Sequence, residues 1–297
     1  MKSRARLADA LRQRDLRRPQ TADRRPQTAD RRPQTADRSV TDPYSALAAG
    51  YDAVMAHVDY PMWAAYAQGL IRRHRPGAAS VVELGCGTGA FAVALQPYGP
   101  APGGYAYRAY DGSDAMIEVA RETARRAGRP VVFDRLAFGE PVPGPPADVV
   151  ALLYDGLNYL LDLDAVTRLL ATIRDALAPG GVAIVDQSTP VNSETHAAGG
   201  FDDAGETDAF SYLRTSAYDA ATRLHTTTFD LTLPDGRQLT ETHVQRAYTM
   251  DEVAGAVEAA GLVAVAAYDG FETEPADAES ERVHWVVRRA SPHGRPA

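Results

Sequence analysis

Val81-Val82-Glu83-Leu84-Gly85-Cys86-Gly87-Thr88-Gly89 joins a short apolar strand, closed by an acid, to a turn in which every second residue is glycine. Glycine reaches φ > 0 without penalty and lets a ligand approach the backbone with no Cβ in the way. Gly85, Gly87 and Gly89 stand where both demands meet, so the turn reads as a cradle of backbone N–H groups for a small nucleotide-like ligand. The dinucleotide fingerprint spaces its glycines G-x-G-x-x-G and delivers a pyrophosphate to a helix N-terminus. Here the third glycine comes one place early and Ala90 follows it, which argues against an NAD oxidoreductase.

Outward from the turn, strands and helices alternate. Helical stretches at about 44 to 57 and 61 to 74 precede the first strand, 79 to 84, and a helix at about 89 to 96 follows it. The second strand is predicted at 105 to 110, a helix at 114 to 127 with Met116, Val119 and Ala120 apolar, and a short third strand at 131 to 133. The fourth, 148 to 153, is a continuous apolar run of the kind buried on both faces of a parallel sheet. An amphipathic helix at 163 to 177 is stopped by Pro179-Gly180-Gly181, and the fifth strand spans 182 to 186. Such β-α-β units imply an α/β, doubly wound parallel sheet with ligands at the carboxyl ends of its strands. A polar stretch, 190 to 208, then leads into alternating segments at 209 to 218, 222 to 233 and 238 to 248, the last two joined by the turn Pro234-Asp235-Gly236-Arg237. Residues 190 to 248 therefore read as an antiparallel β insertion forming a lid over the sheet, before a helix at 250 to 260 and strands at 262 to 268 and 282 to 289.

The 297 residues, 45% of them apolar, can bury a full α/β core, with one domain expected over 41 to 290 and disordered ends at 1 to 40 and 291 to 297. One cysteine, Cys86, excludes internal disulfides and cysteine-rich zinc sites, and no bound metal is expected. There is no run of 18 apolar residues and no signal-peptide core, so a soluble cytoplasmic protein without a membrane partner is expected. The charge of −8 is split: residues 1 to 40 hold 12 Lys and Arg against five Asp, net +7, and the rest 19 basic against 34 acidic residues, net −15. That acidic body is a poor surface for a phosphate backbone. Within the basic tail, Arg-Arg-Pro-Gln-Thr-Ala-Asp recurs unchanged at 17 to 23, 24 to 30 and 31 to 37; each copy carries a helix-breaking Pro and a single apolar Ala, so the seven-residue period is no coiled-coil heptad.

The string Glu83 through Gly89 resembles the first motif of the class I S-adenosylmethionine (SAM) methyltransferases, and the resemblance implies that the loop, with Cys86 and Thr88, curls round the methionine part of that cofactor. One carboxylate at the end of the second strand can accept bonds from both ribose hydroxyls, and Asp111 stands there. Tyr110-Asp111-Gly112-Ser113-Asp114-Ala115-Met116 resembles the family's D-x-S-x-x-M segment, with Asp111 on the ribose, Gly112 and Met116 beside the cofactor and Ser113 or Asp114 capping the next helix. Many relatives carry an acid for the adenine amino group near Phe133-Asp134-Arg135-Leu136-Ala137; with Leu136 or Ala137 in that place, backbone and apolar contacts hold the adenine, and Asp134 is the weaker candidate. Leu153-Tyr154-Asp155-Gly156-Leu157-Asn158-Tyr159-Leu160 resembles the D-x-L-N-Y-L segment of a bacterial group of small-molecule methyltransferases (methyltransferase domain 25-like). Tyr44 with Tyr51-Asp52, and Gln245-Arg246-Ala247-Tyr248 with Glu252, are similar to the same group, so the resemblance covers roughly 43 to 289. It implies a Rossmann-like seven-stranded sheet, with Tyr44, Tyr51, Leu153 and Tyr154 closing on the cofactor.

In that family the cofactor's sulfonium activates the methyl group, transfer is an in-line displacement leaving S-adenosyl-L-homocysteine, and the protein supplies positioning. A phenol or carbon acid wants a general base, whereas a neutral amine sheds its proton afterwards. Tyr154 and Asp155 lead the catalytic candidates by position, with His243 next and His57, His196 and His225 behind. Trp63, Asn158, Tyr159, Phe210, Tyr212 and His225 are the substrate candidates, and an aromatic cage drawing also on Tyr60, Tyr66 and Phe201 would favour a planar or cationic acceptor. The expectation is a small aromatic, indole-like or amine metabolite methylated at N, C or O by a monomer or homodimer. A nucleic-acid or protein methyltransferase, and a non-catalytic SAM-binding protein, are the alternatives; the acidic body and the lack of an N/D-P-P-Y string after the fourth strand count against the first.

Overall fold

The computed structural model describes residues 39–197, 200 and 202–290; the repeats of the basic tail, Phe201 and residues 291–297 lie outside the described residues. In chain order the strands are β1 (Ser39–Thr41), β2 (Ser80–Leu84), β3 (Ala106–Asp111), β4 (Val131–Arg135), β5 (Ala147–Leu152), β6 (Leu177–Ser188), β7 (Asp203–Glu206), β8 (Ser211–Asp219), β9 (Leu224–Thr232), β10 (Gln238–Arg246), β11 (Leu262–Asp269) and β12 (Arg282–Arg289). The helices are α1 (Tyr60–His74), α2 (Ala90–Leu95), α3 (Asp114–Ala127), α4 (Leu163–Ala176), α5 (Pro190–Thr195) and α6 (Met250–Ala259).

A seven-stranded sheet runs in the order β11-β12-β6-β5-β2-β3-β4. Its strands are parallel from β4 to β6, and β12 reverses between β6 and β11. Successive side chains of a strand point to opposite faces, and both faces are covered. Val81 and Val149 pack with Leu70 and Ile71 of α1, Leu95 of α2 and Ile117 of α3, while Val82 and Val150 pack with Leu169 and Ile173 of α4 and Val257 of α6. That double burial is why β2 and β5 read as unbroken apolar runs. The chain leaves β2 toward β3 on one side and later returns to β5 on the other, which opens a crevice at the carboxyl end of β2.

A second, five-stranded sheet has the order β1-β10-β9-β8-β7, antiparallel except that β1 runs parallel to β10. Phe210, Phe229 and Leu231 form its core with Leu47, Val54 and Met55 of the N-terminal segment. The turn at 234–237 forms as predicted, with Gly236 at φ 86° and the Leu233 N–H bonded to the Arg237 carbonyl at 2.9 Å.

Three expectations are corrected. The predicted helix at 44 to 57 is two single turns, Leu47–Gly50 and Tyr51–Val54, preceded by Tyr44 at φ 63°. Glu241 of β10 causes this: its buried carboxylate accepts the N–H groups of Tyr44 (2.8 Å), Ala46 (2.5 Å) and Leu47 (2.9 Å), so the chain curls round one point. Pro179-Gly180-Gly181 does not stop α4, because Leu177 is already extended and paired with Ala147; the motif lies within β6, beside a register shift at Ala147/Val149. The polar stretch from 190 contains α5 and β7. Among the described residues no helix is long and apolar enough to cross a membrane.

Gly89 caps α2 at φ 76°, and a Cβ there would lie 2.8 Å from the Phe133 ring. Left-handed strain and overpacking act together, so Gly89→Ala is expected to cost about 2 kcal/mol in urea unfolding; an unchanged midpoint would contradict this packing.

Candidate functional site

A cleft of about 670 Å³ opens at the carboxyl ends of β2 and β3. Gly85 and Gly87 take φ 68° and 52°, and a Cβ built on Gly87 meets nothing within 4 Å, so the space it leaves belongs to the cleft. Gly89 is no part of the wall; its missing side chain makes room for Phe133 instead. Asp111 accepts the Gly87 N–H on Oδ2 and the Ser113 N–H on Oδ1, each at 2.9 Å. Burial raises its carboxyl pKa while these backbone donors pull the other way. Each oxygen keeps a lone pair for a ligand hydroxyl. Ser113 caps α3 and donates to the Tyr44 carbonyl at 3.0 Å, and the Thr88 hydroxyl donates to Asp52 at 2.6 Å, tying the loop to the N-terminal segment.

Glu83, Cys86, Thr88, Gly112, Met116 and Leu153 line the same cleft. Glu83 accepts the Tyr107 hydroxyl at 2.8 Å; burial, reinforced by Asp111 and opposed by that bond, pushes its pKa up to about 8. Burial likewise raises the Cys86 thiol. Two adenine candidates are displaced. Leu136 is off the wall, its N–H donating to the Asp111 carbonyl at 2.9 Å, and the largely exposed Asp134 faces Arg121 at 3.6 Å; Ala137 and Phe138 form the apolar wall.

A second cavity, of about 170 Å³, adjoins the first. Tyr44, Tyr51, Tyr154 and Tyr159 border both, and so form the partition between them. Its wall includes His57, Asn158, Ser188, Asn192, Arg214, His225, His243 and Gln245. Tyr154 and Asp155 are consecutive residues at φ 57° and 61°, a strained turn of the kind held only where the surroundings over-determine it. The surroundings are ionic: the Asp155 N–H donates to Asp186 at 2.9 Å, and the Asp155 carboxylate lies 2.8 Å from Arg282, which also pairs with Asp186. The guanidinium lies 5.4 Å over Trp63 and 5.9 Å from the centre of the Tyr154 ring. Asp155 thus borders the smaller cavity as one member of an ion pair. Burial raises its carboxyl pKa, and Arg282 opposes that shift.

Of the substrate candidates, Asn158, Tyr159 and His225 reach the smaller cavity, whereas Trp63 borders the larger cleft. Phe210 and Tyr212 border neither: Phe210 packs against Gly50 in the core of the second sheet, and the Tyr212 hydroxyl donates to Asp203 at 3.3 Å. His196 is also absent from both walls. Asn158 spends its amide nitrogen on the carbonyls of Ser188 (2.9 Å) and Arg246 (2.8 Å).

Glu241 is the functional candidate that sequence reasoning missed. The hydroxyls of Tyr44 and Tyr159 are hydrogen-bonded, the Tyr159 hydroxyl lies 3.1 Å from His243 Nδ1, and His243 Nε2 faces Glu241 Oε2 at 3.5 Å. Burial alone would raise the Glu241 carboxyl, yet His243 and three backbone N–H groups hold it below the usual range. The signal available was Glu241-x-His243, two positions apart and so on one face of a strand.

Residues 81–181 match a family model described as a methyltransferase domain. The chain is 27% identical over 255 residues, 83% of it and 99% of the other protein, to a Geobacillus sp. (strain WCH70) protein named as a methyltransferase. It is 29% identical over 201 residues, 65% of it and 75% of the other, to the dTDP-4-amino-2,3,4,6-tetradeoxy-D-glucose N,N-dimethyltransferase of Saccharopolyspora spinosa. In fold it resembles the SAM-dependent methyltransferase from Clostridium acetobutylicum ATCC 824, with a TM-score of 0.69 at 20% identity over 81% of this chain and 96% of that one.

Glu83 supplies a stability test. Between pH 4.5 and about 8 it is ionised in the unfolded chain and protonated in the folded one, so the native state loses stability as pH rises through that window. Paired urea titrations are expected to show Glu83→Gln matching the parent at acid pH and becoming the more stable protein by pH 8. A gap independent of pH would contradict the buried, protonated acid.

Proposed function

We propose that this chain, a class I SAM-dependent methyltransferase, moves the methyl group to an amine nitrogen of a small polar metabolite, with an amino sugar as the leading class. The larger cleft is the proposed cofactor site and the smaller cavity the acceptor site. When bound, SAM supplies a methyl carbon already activated by its sulfonium. Asp111 would take the ribose hydroxyls, the Glu83 to Gly87 turn with Thr88 the methionine part, Gly112, Ser113 and Met116 the middle of the molecule, and Ala137 and Phe138 the base. The room left by Gly87 and the lone pairs left on Asp111 support that fit.

The partition carries the reading. Two cavities that share Tyr44, Tyr51, Tyr154 and Tyr159 have one junction, where a nucleophile and a methyl group can meet. Holding both there supplies most of the acceleration through effective concentration. The acceptor wall supports a polar molecule over an aromatic or indole-like one: it offers His57, Arg214 and His225 with the Gln245 amide, while Phe210 and Tyr212, expected in a cage, are engaged elsewhere. The relative that dimethylates an amino sugar nitrogen supports an amine. The net −15 of the chain beyond residue 40 supports a small acceptor over a nucleic acid.

Incubation with isotope-labelled SAM and a panel of a dTDP-linked 4-amino sugar, tryptamine and catechol, with mass location of the added methyl, is expected to label the sugar nitrogen. Label on the indole or phenol alone would sink the proposal. By calorimetry, Asp111→Ala is expected to weaken S-adenosylhomocysteine binding at least tenfold, about 1.4 kcal/mol, and unchanged affinity would remove Asp111 from the ribose.

A further inference from the structure

We infer that His243, oriented by Glu241, is the terminal acceptor for the proton that the acceptor amine must lose, drawn out through the hydroxyls of Tyr159 and Tyr44. The inference rests on the amine reading above. An amine protonated in solution has no lone pair to attack with, so its proton must leave at the junction of the two cavities. Two of the residues at that junction, Tyr44 and Tyr159, carry hydroxyls bonded to one another, and Tyr159 continues to His243 Nδ1 at 3.1 Å.

The other end of the imidazole decides its tautomer. Nε2 is buried, has no hydrogen-bond partner and is turned toward Glu241 Oε2 at 3.5 Å. A carboxylate there favours a proton on Nε2, which leaves the Nδ1 lone pair for the Tyr159 hydroxyl. Base and orienting acid thus follow the logic by which nucleophile, base and orienter are arranged in other enzymes. The groups packed against the imidazole come from separate elements: Tyr44 at 4.6 Å between ring centres from the N-terminal segment, Phe229 at 5.4 Å from β9, Tyr159 from the turn after β5 and Glu241 from β10 itself. His57, Arg214 and His225 share the cavity wall.

Burial holds the hydroxyls of Tyr44 and Tyr159 protonated, so each passes a proton on only as it receives one. The ammonium N–H bond breaks and its proton binds the Tyr44 oxygen, the Tyr44 O–H proton passes to the Tyr159 oxygen, and the Tyr159 O–H proton moves to His243 Nδ1. The amine keeps the electron pair, both hydroxyls end neutral, and the new imidazolium stands beside the Glu241 carboxylate. Asp155, also on this cavity wall, is paired with Arg282.

Two measurements test this. In the nitrogen-labelled full chain, long-range proton–nitrogen correlation is expected to place the proton of the neutral His243 ring on Nε2, and Glu241→Gln is expected to erode that preference; a neutral ring carrying its proton on Nδ1 in the unaltered protein would overturn the proposal without any substrate present. With the dTDP-linked 4-amino sugar as probe, His243→Asn and Tyr159→Phe are each expected to lower kcat by roughly 100-fold at neutral pH. S-adenosylhomocysteine affinity should hold in His243→Asn, whose side chain lies outside the larger cleft, and the deficit of both variants should shrink at high pH, where the amine arrives unprotonated. A deficit equal at every pH, or none, would overturn it. Absence of turnover by the unaltered protein, with the expected tautomer present, would remove the sugar-amine reading and leave the Glu241–His243 orientation supported.

Discussion

A carboxylate removed from water keeps its charge only where other donors replace the lost hydration, and Glu241 meets that condition by collecting three backbone N–H groups from Tyr44, Ala46 and Leu47. The bonds fix the N-terminal segment to β10, the strand beside β1 in the second sheet. They also set Tyr44 in its left-handed conformation, which sends its ring into the partition and its carbonyl to Ser113 on the rim of the glycine cleft. Without that anchor the cleft would lose a wall and the smaller cavity one of its boundaries. Asn158, bonded to Ser188 of β6 and Arg246 of β10, adds a second tie between the two sheets.

The chemistry is divided along the same line. The parallel sheet contributes rigid backbone geometry: a strand end, a turn with positive φ and an acid on the neighbouring strand. The antiparallel sheet contributes side chains that ionise. Their meeting surface is made of tyrosines, which bring apolar rings and a polar tip. The Asp155–Arg282–Asp186 cluster holds the strained turn that presents Tyr154 to both sides. Its charges do structural service.

Legibility in the sequence followed the range of the interactions. The glycine turn, Asp111 and the alternation of strands with helices depend on residues close in the chain, and Ser80–Leu84, Asp114–Ala127 and Arg282–Arg289 lie within a residue or so of where apolar pattern and capping predict them. Gly89 was legible as a glycine that the turn needs, but its Phe133 neighbour was not. Asp155 read as a base because it follows the fourth strand; only the fold brings Arg282 to it, from 127 positions away. Phe210 and Tyr212 read as cage residues because aromatic character alone cannot say which face of a strand meets a ligand.

By itself, then, the sequence determined the glycine cleft: φ > 0 glycines, a strand-end acid and a buried parallel strand are local requirements, and the order of residues encodes them. The tertiary structure decided the smaller cavity. The tyrosine partition, the Glu241 anchor and the turn of His243 toward Tyr159 join residues from 84 to 197 positions apart. Such contacts arise from how the two sheets pack, and no spacing along the chain records them.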